Sequence, residues 1–375
     1  MKQERGRIAI LDGFRALAIF FVMLCHFFSR YIKPYHKEDL YPYGADYDYF
    51  SYGFLGVQFF FIISGFVIFF TLENTLNFST FWKKRLIRLF PSMLVASIII
   101  YLFFNFFEDS NFLLSHRLLN FIPSLTFIKP ELINNLVEST FGIQLNLDYL
   151  NGSYWSLWVE IQFYLFASLF FFCDKLNFIR NIIIISAFLC ISNLVMYNIG
   201  GSNILGISYA KEITFYFTKW IAGGFNLLDY LPFFVIGMLF YLMFKNKDEN
   251  KKNTIFVKGA LLFFMSFVLF FSRDNIVRLL LMLMFFLFFV FIYYPNRLKV
   301  LQNSFFKKNG EASYFMYLIH ENIGVFLIIV FGSFFKSFGF VLPLLIILFF
   351  SYLSILYYKY DTRINRFFKI KLLKE

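Results

Sequence analysis

Apolar runs of about 20 residues recur along nearly the whole chain, and this pattern restricts its fold more than any other feature. A helix of that length crosses a hydrocarbon layer of roughly 30 Å. Stretches such as LLLMLMFFLFFVF and IILFF are apolar on every face. A membrane barrel instead alternates polar and apolar residues in segments of roughly ten. Only helices satisfy their own backbone in lipid without closing a barrel. Composition agrees: 59% of the residues are hydrophobic, 24% aromatic and 15% charged, against roughly 25% charged in soluble domains. A soluble core does not hide 62 Phe and 24 Tyr behind so few charges. The expected fold is all-α and integral to the membrane.

The expected spans are 8–29, 51–72, 87–107, 155–173, 178–198, 229–244, 255–272, 276–294, 313–333 and 338–358. Ten crossings return both termini to one side. Of the 35 Lys and Arg residues, 24 fall in the loops of one side, 10 in those of the other, and Arg15 lies within a helix. Basic residues gather in cytoplasmic loops, so both termini are expected in the cytoplasm. The net charge of +12 then reports topology rather than nucleic-acid binding. No basic arm with interleaved aromatics accompanies it. Lys2, Arg5 and Arg7 precede an apolar stretch too long for a signal peptide and without a clear small-residue cleavage site. Two outer loops, about 108–154 and 199–228, are long enough to suggest function. One transmembrane domain is expected over 1–375, with its core at 7–358 and no appended soluble domain. Cys25, Cys173 and Cys190 lie in apolar segments without a CxxC pair, which points away from disulfides and zinc; no metal is expected.

Ionisable groups inside a membrane helix are functional candidates by default. Asp12, Arg15 and His26 interrupt the first span. Eleven steps of about 100° bring His26 back to the face of Arg15, about 16 Å further along the axis. Asp12, three residues before Arg15, shares that face. Arg85 and Arg88 stand at i and i+3 in FWKKRLIRLFP, a spacing that aims both at one partner and suits phosphate. Positive-inside anchoring is the plainer reading of that segment. Pro91 fits the first turn of the helix after it.

Ser156, Glu160 and Tyr164 share a face at the start of the fourth span, where Glu160 could orient His26. Its alternative is a structural link to an arginine. Trp158 reads as an interfacial anchor. Ser313, Tyr317 and His320 share a face in the ninth span; His320 serves acceptor binding, catalysis or only the core. His36 and His116 read as solvated loop residues. Ser64, in FFFIISGFVI, reads as part of a Ser–Gly helix contact before it reads as a nucleophile.

These pieces resemble membrane acyltransferase family 3, the polysaccharide O-acetylases. The matching segments are RIAILDGFRALAIFFVMLCH, FFFIISGFVI, FWKKRLIRLFP, YWSLWVEIQFYL and SYFMYLIH, in the family's order. Arg15 and His26 match its Arg-x10-His pattern, and Arg85 and Arg88 its Arg-x-x-Arg pattern. The resemblance implies a multi-pass protein of the bacterial inner membrane. It implies an acyl-CoA donor, with acetyl favoured, arriving from the cytoplasm. Arg15, Arg85 and Arg88 would hold the donor and His26 would be central to catalysis, as base or as acyl carrier. The acceptor would be a hydroxyl of a cell-surface or lipid-linked glycan. Some relatives carry an extra C-terminal hydrolase-like domain, so a relay here would need a separate downstream transferase. A glycolipid transporter or flippase is the rival reading, because intramembrane charges also mark transport paths.

Overall fold

The computed structural model describes residues 9–33, 36, 40–41, 47–107, 112–201, 224–272, 274–332, 334–335 and 339–373. They form helices without strands: α1 (Ala9–Phe28), α2 (Leu55–Glu73), α3 (Phe78–Asn105), α4 (Phe121–Thr126), α5 (Pro130–Phe141), α6 (Trp155–Cys173), α7 (Phe178–Gly201), α8 (Leu227–Asp248), α9 (Ile255–Phe271), α10 (Asn275–Tyr293), α11 (Ser304–Phe331) and α12 (Val341–Leu373). Nine of the described helices are long and apolar enough to cross a membrane. The remaining expected span falls on α9, which has 17 residues and sits at the short end of the spanning range. The protein is an all-α integral membrane protein.

Several helices begin before their apolar runs, because polar caps lie outside them. Asn77 accepts from Thr80 N at 2.9 Å and starts α3 at Phe78. Pro91 is therefore inside the helix rather than in its first turn. Asn303 accepts from Phe306 N at 3.0 Å and starts α11 at Ser304, nine residues ahead of the expected 313. In the same way α12 continues to Leu373, past the expected end at 358, because no Gly or Pro interrupts the basic segment that follows.

Helix contacts follow the small residues, as expected where lipid supplies no hydrophobic drive between helices. A Cβ on Gly65 would meet the backbone of Phe234, and one on Gly237 would meet the carbonyl of Ile62. α2 and α8 therefore touch backbone to backbone, and they run parallel, with Phe61 against Tyr230 at one end (ring centroids 5.1 Å apart) and Glu73 paired with Lys245 at 2.8 Å at the other. Gly310 lies against the Asp12 carbonyl and Gly324 against the Phe27 ring, which makes α1 and α11 parallel as well. Both pairings are what ten alternating crossings require. Large apolar side chains such as Leu102 on α3, Leu279 on α10 and Leu348 on α12 point outward.

The region expected as a loop at 108–154 has structure of its own in α4 and α5. Pro130 opens α5, and Gly142 closes it at φ 67°, a conformation that glycine adopts without strain. The segment then returns to the bundle. Asn151 Nδ2 donates to the Leu318 carbonyl at 2.7 Å, and Asn322 Nδ2 donates to Ser115 Oγ at 2.8 Å. Most of the second expected loop, 202–223, lies outside the described residues. His116 is half-buried rather than solvated.

Candidate active site

α1 sets the axis of the site. Asp12 is fully buried and forms a 2.8 Å ion pair with Arg15 Nη1 one turn later. Arg15 then lines a cavity of about 80 Å3. α2 contributes Ser64 to it, α3 Arg88, α6 Ser156 and Glu160, and α11 Ser313, Tyr314 and Tyr317. Arginines from two helices thus meet a carboxylate from a third.

The two arginines of the Arg-x-x-Arg pattern separate. Arg88 lines the cavity, whereas Arg85 is buried outside its lining. Arg85 donates to Thr71 Oγ1, and its guanidinium lies 5.4 Å from the Phe81 ring centroid and 5.5 Å from that of Tyr164. The spacing put both on one helix face, but Tyr164 and Phe81 offer Arg85 two aromatic faces, and it turns to them.

Glu160 does not form an ion pair with His26, contrary to the role expected for it. Its Oε1 accepts from Ser64 Oγ at 2.5 Å and from the Tyr164 hydroxyl. Tyr164 thereby links Glu160 to Arg85. The Ser64–Gly65 pair divides: Gly65 makes the helix contact, while Ser64 turns into the cavity. Trp158 Nε1 donates to the Gly224 carbonyl at 2.8 Å, so it ties down the segment before α8.

A latch stands at the other end of the cavity. The Tyr317 hydroxyl donates to the Ser153 carbonyl at 2.8 Å and lies 2.7 Å from Ser156 Oγ. Beyond it are the histidines. The Tyr317 ring centroid is 5.6 Å from that of His320. His320 Nε2 and His26 Nδ1 are 3.0 Å apart. Their ring planes differ by 12° with centroids 5.0 Å apart, so the rings meet edge to edge. His320 Nδ1 lies 2.9 Å from the Tyr317 carbonyl. A carbonyl only accepts, so His320 Nδ1 carries the hydrogen and Nε2 of the neutral ring is an acceptor. His26 Nδ1–H then donates to it, which leaves the lone pair of His26 on Nε2.

Sequence reasoning passed over Glu321, the residue after His320. Its Oε2 lies 3.8 Å from His26 Nδ1, so Glu321 rather than Glu160 is the carboxylate beside His26. The signal was available: it is an acid in an apolar span, the same criterion that singled out Glu160. No group of three or more His, Cys, Asp or Glu among the described residues could hold a metal ion.

The fold and site define a multi-pass helical membrane protein with a cavity that holds two arginines and a glutamate, and with a histidine pair beyond Tyr317. The model of the family described as "Acyltransferase domain" matches residues 8–359, and the chain belongs to that family. It is 27% identical over 211 residues to the O-acetyltransferase OatA of Staphylococcus aureus, an alignment covering 52% of this chain and 30% of the relative. It is 27% identical over 173 residues to the peptidoglycan O-acetyltransferase OatA of Listeria monocytogenes, covering 44% of this chain and 24% of the relative. The aligned part is thus less than a third of either relative's length. No solved structure matches the chain.

Proposed function

We propose that this protein is an O-acyltransferase that moves an acyl group, with acetyl favoured, from acyl-CoA to a hydroxyl of a cell-surface or lipid-linked glycan. The observation that carries the reading is the placement of Arg15 and His26 on one helix. Arg15 lines the cavity with Arg88, and His26 lies beyond Tyr317, paired with His320. Two cations suit a phosphate-bearing donor, and an imidazole with its lone pair held on Nε2 suits a general base. The names of the two relatives support acetyl transfer, and one of them supports peptidoglycan as the acceptor.

In this reading Arg15 and Arg88 hold the donor's phosphates from the cytoplasmic side, and both termini share that side. Arg85 keeps Tyr164, and through it Glu160, in place. Ser64 and Glu160 contact the arm of the donor. His26 Nε2 takes the proton of the acceptor hydroxyl as its oxygen attacks the thioester carbonyl. The new C–O bond forms, the C–S bond breaks, and His26 returns the proton to the leaving sulfur. His320 holds the required tautomer throughout.

The test is consumption of acetyl-CoA by the purified protein in proteoliposomes. The wild type is expected to release free CoA when a peptidoglycan glycan fragment is supplied, and His26→Ala is expected not to. Equal rates in the two would end the proposal, and transport of the glycan without thiol release would favour a flippase.

A further inference from the structure

Glu321 is buried in α11, at 5% relative exposure. A lone buried carboxylate is costly unless it is paired or hydrogen-bonded. One oxygen has a partner: the Tyr31 hydroxyl donates to Oε1 at 3.1 Å. The other, Oε2, accepts no hydrogen bond among the described residues. That oxygen lies 3.8 Å from His26 Nδ1. Gly152 leaves the carboxylate its room, because a Cβ there would lie 3.0 Å from each of its oxygens. Asn322 Oδ1, 3.4 Å from Gly152 N, fixes the backbone there.

We propose that Glu321 is the charge partner of His26, placed 3.8 Å from its Nδ1 with the Tyr31 hydroxyl on its other oxygen, so that it stabilises the imidazolium formed during transfer. The proposal rests on His26 acting as the base. In the resting site His26 Nδ1–H is committed to His320 Nε2. When Nε2 takes the acceptor's proton, His26 becomes a cation in a water-poor site. His320, itself neutral, offers an acceptor atom but no charge. Glu321 supplies the negative charge, at a distance where a small movement of the ring converts proximity into a hydrogen bond. Its unpartnered oxygen is then the arrangement expected of a group whose full interaction forms only as charge develops. Glu321 contacts neither substrate in this arrangement, so it is a positioning residue.

The experiment compares Glu321→Gln, Glu321→Asp, His26→Ala and the wild type, each as the full chain in proteoliposomes with acetyl-CoA and a peptidoglycan glycan fragment. Gln keeps the size and the acceptor for Tyr31 but removes the charge; Asp keeps the charge. Glu321→Gln is expected to lower kcat about 100-fold with KM for acetyl-CoA and the melting temperature unchanged. Glu321→Asp is expected to recover at least part of that loss. A wild-type kcat in Glu321→Gln, with His26→Ala inactive, overturns this assignment alone. So does equal impairment of Gln and Asp with a lowered melting temperature, which marks a packing role. Absence of transfer by the wild type overturns the acyltransfer reading and this assignment with it.

Discussion

His26 Nδ1 and His320 Nε2 stand 3.0 Å apart although 294 positions separate them in the chain. The pairing exists because α1 and α11 run parallel and in close contact at Gly310 and Gly324. It fixes which nitrogen of His26 is free, and so turns a helix contact into a chemical specification.

Replacing His320 should therefore act through His26. His320→Ala is expected to lower kcat by about 10- to 100-fold, less than the roughly 10²- to 10⁴-fold loss expected for His26→Ala. His320→Gln offers a side-chain oxygen that can accept from His26 Nδ1 and should recover part of the rate. Turnover measured with saturating acetyl-CoA checks this. Equal rates in wild type and His320→Ala would show that the tautomer is set elsewhere.

Arg88 and Arg85 should differ in kinetic signature. Arg88→Ala removes a cation from the cavity and is expected to raise KM for acetyl-CoA about 10- to 100-fold, the equivalent of one charged hydrogen bond. Arg85→Ala leaves Thr71, Phe81 and Tyr164 without their buried partner. It is expected to lower the melting temperature as well as kcat. Thermal unfolding in detergent beside steady-state kinetics separates the two.

Gly237 tolerates no side chain where α8 crosses α2, since a Cβ there would meet the Ile62 carbonyl. Gly237→Leu should destabilise the protein by about 1–3 kcal/mol or more and reduce the amount of folded protein in membranes. Gly259, with nothing within 4 Å of its would-be Cβ, is the control: Gly259→Ala should leave the melting temperature where it is or raise it.

Sidedness can be read from two exposed leucines. Leu76 lies in the α2–α3 connection at 87% exposure, and Leu136 lies on α5 at 62%. In a Cys173→Ser background, which removes the exposed native cysteine, an impermeant maleimide on intact cells should label Leu136→Cys and not Leu76→Cys. The reverse pattern would invert the topology and place the arginine cavity on the outer side.

Much of this architecture was legible in the sequence, because lipid imposes a length and a hydropathy on every crossing. The Asp12–Arg15 pair was legible for a related reason: 100° per residue is a local property. What could not be read were relations between helices. Arg85 and Arg88 share a face on an isolated helix, and only the aromatic faces of Phe81 and Tyr164 draw them apart. Glu160 and Glu321 are both acids in apolar spans, and no local rule says which of them stands beside His26. Helix starts were also misjudged where Asn77 and Asn303 cap a turn or more outside the apolar run.

The hydroxyls of Tyr317 and Ser156, both directed at the loop turn at Ser153, bear on leakage. A protein that brings an energy-rich thioester from one aqueous phase to an alcohol in another must keep the two phases from joining through it. On the proposed acyltransfer reading, Tyr317, which lines the arginine cavity and whose ring centroid is 5.6 Å from that of His320, is the residue placed to keep that partition between turnovers.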